Sequence, residues 1–328
     1  MAFTEFKLIE RIRRIAERAS PPVVIGIGDD CAAVALKAGE VSLHTTDCMV
    51  EGVHFRRDLR TAREIGWKAV AANLSDIASM GGEPVCFLLS LAIPRGCKEG
   101  FIIDLAKGAI SCGKRYGAQL SGGNISSSPG PLVVDISMIG KADRRLVVRR
   151  SGARPGDLVL VAGSPGRSAA GLFVLESGNT AFLKRHPALV RAHLRPEPML
   201  RLGRMLAKKR LATAMIDTSD GLAQDLGHIC ESSDVGIELY AGKIPVSSQL
   251  KRFCCETGGT ALEYGLCGGE DYSLAFTAKP RDLVKIMNIA AVCRARITAI
   301  GEATRGSALT VTGAPEGMNL AGHEHLRG

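Results

Sequence analysis

The segment Val23-Val24-Ile25-Gly26-Ile27-Gly28-Asp29-Asp30-Cys31-Ala32-Ala33-Val34 sets two adjacent carboxylates directly behind an apolar run and then turns apolar again. Like charges side by side repel, and a buried carboxylate needs a compensating partner. The Val/Ile run reads as a short buried strand over 23–27. The acid pair must therefore sit at the strand's mouth, and the fold must bring something there to offset it. Asp47, Asp76, Asp217, Asp220, Glu270 and Asp271 also stand at predicted strand ends or helix starts, almost all beside Gly, Ser or Thr. The stretch "GLCGGEDYSLAF" (265–276) repeats the glycine, acid pair and apolar flanks.

The intervening sequence supplies elements of both kinds. Residues 5–18 read as a helix with Phe6, Ile9, Ile12 and Ile15 on one face. "VSLHTTD" (41–47) alternates as a strand, and "AREIGWKAVAANLSDIASMGG" (62–82) is a helix closed by glycine. A buried strand (84–94), a second glycine-stopped helix (98–117) and strands over 118–124 and 131–140 follow. Near residue 150, "RRSGARPGDLVLVAGSPGRSAAG" makes a turn, a strand and a Gly-rich passage into a helix. Helices are expected at 198–209, 221–233, 247–258 and 280–293, interleaved with strands, and two strands close the chain. The expected fold class is α/β (α+β) in two domains, 1–150 and 151–328.

The net charge of +9 suits an anionic ligand or a solvated basic surface. Aromatics make up 4% of residues, and Arg144-Arg145 and Arg149-Arg150 lack interleaved rings, which argues against a nucleic-acid platform. None of the ten cysteines forms a Cys-x-x-Cys pair, so they read as reduced, mostly core thiols. The N-terminus has charges throughout and no signal-type apolar core, and no apolar run is long enough for a bilayer. A cytoplasmic protein with no membrane or nucleic-acid partner is expected.

Hard oxygen donors gathered from several loops are what Mg²⁺ takes, together with waters and substrate phosphates. Each Asp taken singly also fits a turn or a helix cap. Asp76 lies in a mostly apolar helix, "NLSDIASMG", where a carboxylate needs a metal, a lysine or a backbone donor. "IDTSDGLAQDLGH" (216–228) reads either as Thr218 or Ser219 capping a helix, or as an anion site flanked by carboxylates. The Gly-rich stretches 121–130 and 162–171 read as loops able to wrap phosphate. The phosphate-binding loop G-x-x-x-x-G-K-[ST], the dinucleotide fingerprint, the protein-kinase elements and the G-x-S-x-G elbow are all missing from the sequence. His54 fits either a substrate phosphate or a structural hydrogen bond.

Taken in order, "IGDD" (27–30), "TTDCMVEGVHF" (45–55), "GWKAVAANLSDIASMGGEP" (66–84), "LSGGN" (120–124), "RRSGARPGD" (149–157), "IDTSDGLAQDLGH" (216–228) and "GGEDYSLAFT" (268–277) resemble the thiamine-monophosphate kinase family of the aminoimidazole ribonucleotide synthetase-like superfamily. The resemblance implies an N-terminal ATP/Mg and dimerisation domain whose sheet pairs across a homodimer, and a C-terminal α/β domain completing the substrate site. It implies direct in-line transfer of the ATP γ-phosphoryl group to thiamine monophosphate, assisted by several Mg²⁺ ions. By motif, Asp30, Thr45, Thr46, Asp47, Asp76, Asn124, Asp217 and Asp220 would serve the metals. Gly123, Asn124, Arg150 and Ser219 would meet ATP, and His54, Glu270 and His323 the thiamine phosphate. No side chain is expected to act as a covalent or acid–base catalyst.

The chain departs from the family pattern at three places. Asn124 stands where many members carry Asp, which removes a negative charge while keeping an oxygen donor. The tail reads Gly322-His323-Glu324-His325-Leu326 in place of Gly-aromatic-x-His-Phe, and Ala106 stands where a nucleotide-contacting ring is expected. The alternatives are another ATP-using synthetase of the superfamily and a basic nucleic-acid module. The second predicts salt-sensitive binding without Mg²⁺, and the carboxylates oppose it.

Overall fold

The computed structural model describes residues 11–16, 21–25, 33–315, 317, 318, 320 and 322. Asp29, Asp30 and His323 lie outside these residues. So does most of the expected N-terminal helix, of which residues 11–15 are helical. The chain divides into two compact units, Met1–Ile77 with Gly82–Arg145, and Ala78–Gly81 with Leu146–Gly328.

In the first unit, β1 (Val23–Ile25) and β2 (Ala33–Val34) form a small antiparallel ribbon. A four-stranded sheet follows, built from β3 (Glu40–Val50), β4 (Glu83–Pro94), β5 (Gln119–Ser128) and β6 (Val133–Asp143) in the order β3-β6-β4-β5. Only β4 and β5 run parallel, joined by the crossover helix α2 (Glu99–Tyr116). Strand alternation gives the sheet two unlike faces. Leu43 and Met49 of β3 and Val134, Ile136 and Met138 of β6 are buried on one, while His44, Thr46 and Cys48 of β3 are exposed on the other. Ile77 of α1 (Ala62–Ser79) would meet a Cβ placed at Gly140 of β6 at 2.8 Å, so α1 lies against the buried face.

Helix α1 is apolar on nearly every side, and every residue from Ile65 through Ser75 is buried. It packs tightly on α2. A Cβ at Gly66 would fall 2.0 Å from Leu105 O, and one at Gly108 would fall 2.0 Å from Arg63 O. Only glycine at both crossings lets the two backbones approach so closely.

The second unit has a six-stranded sheet in the order β12-β9-β11-β7-β10-β8. Its strands are β7 (Leu158–Ala162), β8 (Ala214–Thr218), β9 (Gly236–Tyr240), β10 (Ser273–Ala278), β11 (Ile297–Thr304) and β12 (Leu309–Thr312). Only the β12/β9 pair is parallel. Its helices are α3 (Arg167–Glu176), α4 (Thr180–Arg185), α5 (Pro187–Leu194), α6 (Leu200–Lys208), α7 (Leu222–Ser233), α8 (Ser248–Thr257), α9 (Ala261–Cys267) and α10 (Leu283–Cys293). One core joins Leu222, Leu226 and Ile229 of α7 to Val159, Ile216 and Ala275 of the sheet. A second joins Val174, Phe182, Leu189, Leu250 and Phe253 of the helices.

Two expectations change. The stretch 121–130 is not a loop, because β5 runs to Ser128 in parallel register with β4, from Cys86↔Gln119 to Pro94↔Ser128. Strand pairing overrides the Gly/Ser composition. The segment 180–194 forms two short helices that the apolar pattern did not disclose.

Candidate active site

In the first unit the alternation of β3 divides its three polar residues. Thr45 and Asp47 project with Leu43 and Met49 toward the helical face, and Thr46 projects the other way. Thr45 Oγ1 donates to Asp76 Oδ2 at 2.5 Å, so the Asp of the apolar helix has found a strand hydroxyl. Thr46 Oγ1 instead lies 3.2 Å from Asp135 Oδ1 and 3.4 Å from Ser137 Oγ. Asn124 belongs to that second face as well. It registers with Ser90, Ser90 with Asp135, and Asp135 with Cys48, in one polar row across four strands. The neighbouring row is Asp47, Ile136, Leu89 and Gly123. The structure therefore places Thr45, Asp47 and Asp76 together, and sets Thr46 and Asn124 apart from them with Asp135.

His54 follows β3 in a tight turn. The Val50 N–H donates to His54 Nδ1 at 3.0 Å, so the neutral ring carries its proton on Nε2. That nitrogen is a donor of the kind a phosphate oxygen takes.

In the second unit, β8 is buried along its whole length and ends at Asp217 and Thr218, 3% and 1% exposed. The helix that follows is not capped by Thr218 or Ser219. Thr218 Oγ1 accepts from the Ser273 N–H of β10 at 3.1 Å. Asp225, one turn into α7, folds back to accept the Ser219 and Gly221 N–H groups at 3.1 Å each. Burial first, and then the charge of Asp220, pushes the Asp225 carboxyl up to about 7. The motif thus caps itself from within the helix and leaves Ser219 and Asp220 at the turn.

The turn at 270–272 is stitched onto the same segment. The Glu270 N–H donates to Ser219 O at 2.6 Å, and the Tyr272 N–H to Thr218 O at 2.8 Å. Both residues have left-handed backbones, with φ of 63° and 49°. Such conformations persist in non-glycine residues where surrounding structure enforces them, often at functional sites. The acid pair splits in role. Asp271 accepts the Gly166 and Ser168 N–H groups at the start of α3, and burial raises its carboxyl to about 6. Glu270 turns toward α5, where its Oε2 lies 3.5 Å from His193 Nδ1. Arg150 has an exposed side chain, and its carbonyl accepts from Ser233 Oγ at 3.1 Å. Beside this turn lies a cavity of about 450 Å³ lined by Ser164, Arg167, Arg191, Arg195, Met199 and Asp271.

Among the described residues, no three His, Cys, Asp or Glu side chains gather as a ready metal cage. The donors are carboxylate, hydroxyl and amide oxygens, the hard chemistry that Mg²⁺ accepts while it keeps waters or phosphate oxygens as its remaining ligands.

Residues 28–142 match the AIR synthase related protein N-terminal domain, and 154–314 match its C-terminal domain. A curated thiamine-monophosphate kinase from Escherichia coli is 35% identical over 330 residues, covering 99% of each chain. The chain belongs to the thiamine-monophosphate kinase family. The crystal structure of the kinase from Stenotrophomonas maltophilia superposes with a TM-score of 0.84 at 34% identity, over 95% of this chain and 98% of that one. AaThiL complexed with AMPPCP and TMP gives 0.79 at 34% identity, over 98% and 97%. The expected two-domain fold of the family is the one observed.

Sequence reasoning missed Asp135, which faces Thr46, and the self-capping role of Asp225. It also missed Ser168 and His193 beneath Glu270. Asp135 was open to a period-2 reading of β6, whereas His193 had no local signal.

Proposed function

We propose that the chain phosphorylates thiamine monophosphate with ATP, giving thiamine diphosphate and ADP by direct in-line transfer. The observation that carries this reading is end-to-end likeness, at 34–35% identity, to thiamine-monophosphate kinases and to a member complexed with AMPPCP and TMP. The local geometry supports it. Hard oxygen donors and phosphate-suited N–H groups stand at strand ends, as a reaction governed by positioning and charge neutralisation requires.

In this reading Thr45, Asp47 and Asp76 of the first unit and Asp217 and Asp220 of the second hold Mg²⁺, joined by Asp30, while Asn124 serves a further Mg²⁺ on the sheet face it shares with Thr46 and Asp135. Thr46 serves through its backbone or by way of Asp135, since its side chain faces away from Thr45 and Asp47. Bound Mg²⁺ supplies neutralisation of phosphate charge. Gly123, Asn124, Arg150 and Ser219 meet ATP, and His54, Glu270 and His323 meet the thiamine phosphate. The working form is a homodimer in the cytoplasm, where ATP is supplied. Among the described residues no helix is long and apolar enough to cross a membrane.

The test is product detection with ATP, Mg²⁺ and thiamine monophosphate. Thiamine diphosphate should accumulate and should vanish when EDTA removes the metal. ATP binding with no thiamine diphosphate formed would overturn the reading in favour of another substrate of the superfamily.

A further inference from the structure

Helix α5 carries a histidine for which the phosphoryl-transfer reading has no use. His193 is wholly buried, and so is Ser168 of α3. Ser168 Oγ lies 3.0 Å from His193 Nδ1, and the same nitrogen lies 3.5 Å from Glu270 Oε2. Two side chains from two separate segments thus converge on one ring nitrogen. A buried imidazole is expensive to install unless hydrogen bonds repay its desolvation.

The second partner, Glu270, is not a core residue. The Glu270 side chain keeps 29% of its surface exposed, so one end of it reaches solvent while the other is held from below. Its backbone is already fixed. The left-handed φ of 63°, the 2.6 Å bond from its N–H to Ser219 O, and the contact between Gly269 and Ser219 leave the main chain little freedom. A Cβ at Gly269 would fall 2.7 Å from Ser219 O. What the backbone does not fix is the carboxylate. A free glutamate loses rotamer entropy when it is ordered by a ligand, and a group ordered in advance spares that cost.

We propose that His193, whose Nδ1–H is shared between Ser168 Oγ and Glu270 Oε2, is the positioning residue that holds the Glu270 carboxylate ready for the acceptor substrate. The inference rests on the reading of Glu270 as a substrate contact. The acceptor carries a thiazolium cation, which a fixed carboxylate suits. His193 touches neither substrate nor reacting atoms, and it acts only through Glu270.

The experiment compares steady-state constants of purified variants, with thermal unfolding as the check on folding. His193→Leu should raise KM for thiamine monophosphate about tenfold, with kcat within about twofold and KM for ATP unchanged. His193→Asn, whose amide can donate from near the place of Nδ1, should recover most of that loss. Ser168→Ala, which leaves the Nδ1–H to Glu270 alone, should lower the same KM by about threefold. A folded His193→Leu with wild-type KM, beside a Glu270→Gln that raises it, would overturn the inference and leave the Glu270 reading intact. A Glu270→Gln with wild-type KM would overturn both. Should His193→Leu fail to fold, Ser168→Ala decides the matter, since an unchanged KM there overturns the proposal.

Discussion

Thr45 Oγ1 donates a 2.5 Å hydrogen bond to Asp76 Oδ2, and this contact ties the polar stretch of β3 to the most buried helix of the first unit. It explains how a carboxylate is tolerated in an otherwise apolar helix. It also fixes that carboxylate beside β3, the strand that carries Asp47. The bond orients Asp76 but does not neutralise it, so a cation remains the stronger partner. Asp76→Asn should therefore lower kcat/KM by at least about a hundredfold with the unfolding midpoint little changed. Thr45→Val, which keeps the shape and deletes the donor, should cost about tenfold, and Thr45→Ser should restore the rate. Equal, wild-type rates in Asp76→Asn and Thr45→Val would reduce the pair to a structural tie.

Asn124 shares a register row with Asp135 through Ser90, two strand spacings or about 10 Å away. A carboxylate at 124 would add negative charge to a face that already holds Asp135, and that charge favours a divalent cation. Asn124→Asp should lower the Mg²⁺ concentration for half-maximal activity several-fold while leaving stability within about 0.5 kcal/mol. A Mg²⁺ titration of the rate checks this, and an unmoved midpoint would take residue 124 out of the metal set.

Gly123, next to it, is under a different constraint. Its φ is 155°, and a Cβ there would fall 2.0 Å from Leu89 O on the parallel partner strand. The neighbour is backbone and cannot give way. Gly123→Ala should destabilise the first unit by about 3 kcal/mol. Gly122→Ala meets only the end of the Leu88 side chain, at 3.0 Å, and should cost less than about 1 kcal/mol. Urea unfolding of the two variants side by side distinguishes a backbone clash from a general loss of strand flexibility.

Much of this was legible in the sequence because the informative residues broke a local pattern. Asp76 stood out as a charge inside an apolar helix, and Asp217 and Glu270 as acids at the ends of buried strands. The period of β3 already separates Thr46 from Thr45 and Asp47, although the motif reads as one unit. What was illegible depends on distant pairing. The Gly/Ser composition of 121–130 signals a loop until β4 supplies its hydrogen bonds. His193 sits on an eight-residue helix, and its partners lie at 168 and 270, so nothing near it in the chain announces the cluster.

Asp225 gives the second unit a pH dependence of known sign. Its carboxyl is raised from the ordinary 3.8 to about 7, chiefly by burial and then by the charge of Asp220. An unfolded chain ionises this group near pH 4, whereas the folded protein keeps the proton until about pH 7. The stability it contributes is complete below the unfolded value and is lost as pH rises through the folded one. Asp271, raised to about 6 by burial, acts in the same direction. In EDTA the second unit should therefore lose up to about 4 kcal/mol between pH 5 and pH 8. Asp225→Asn keeps an oxygen to accept the Ser219 and Gly221 N–H groups and has no charge to bury. Its urea midpoint should be flatter across that interval and higher than the wild type at pH 8. A variant with the same slope as the wild type would mean that Asp225 is ionised in the folded protein throughout, and that the cap at the start of α7 is a charged one.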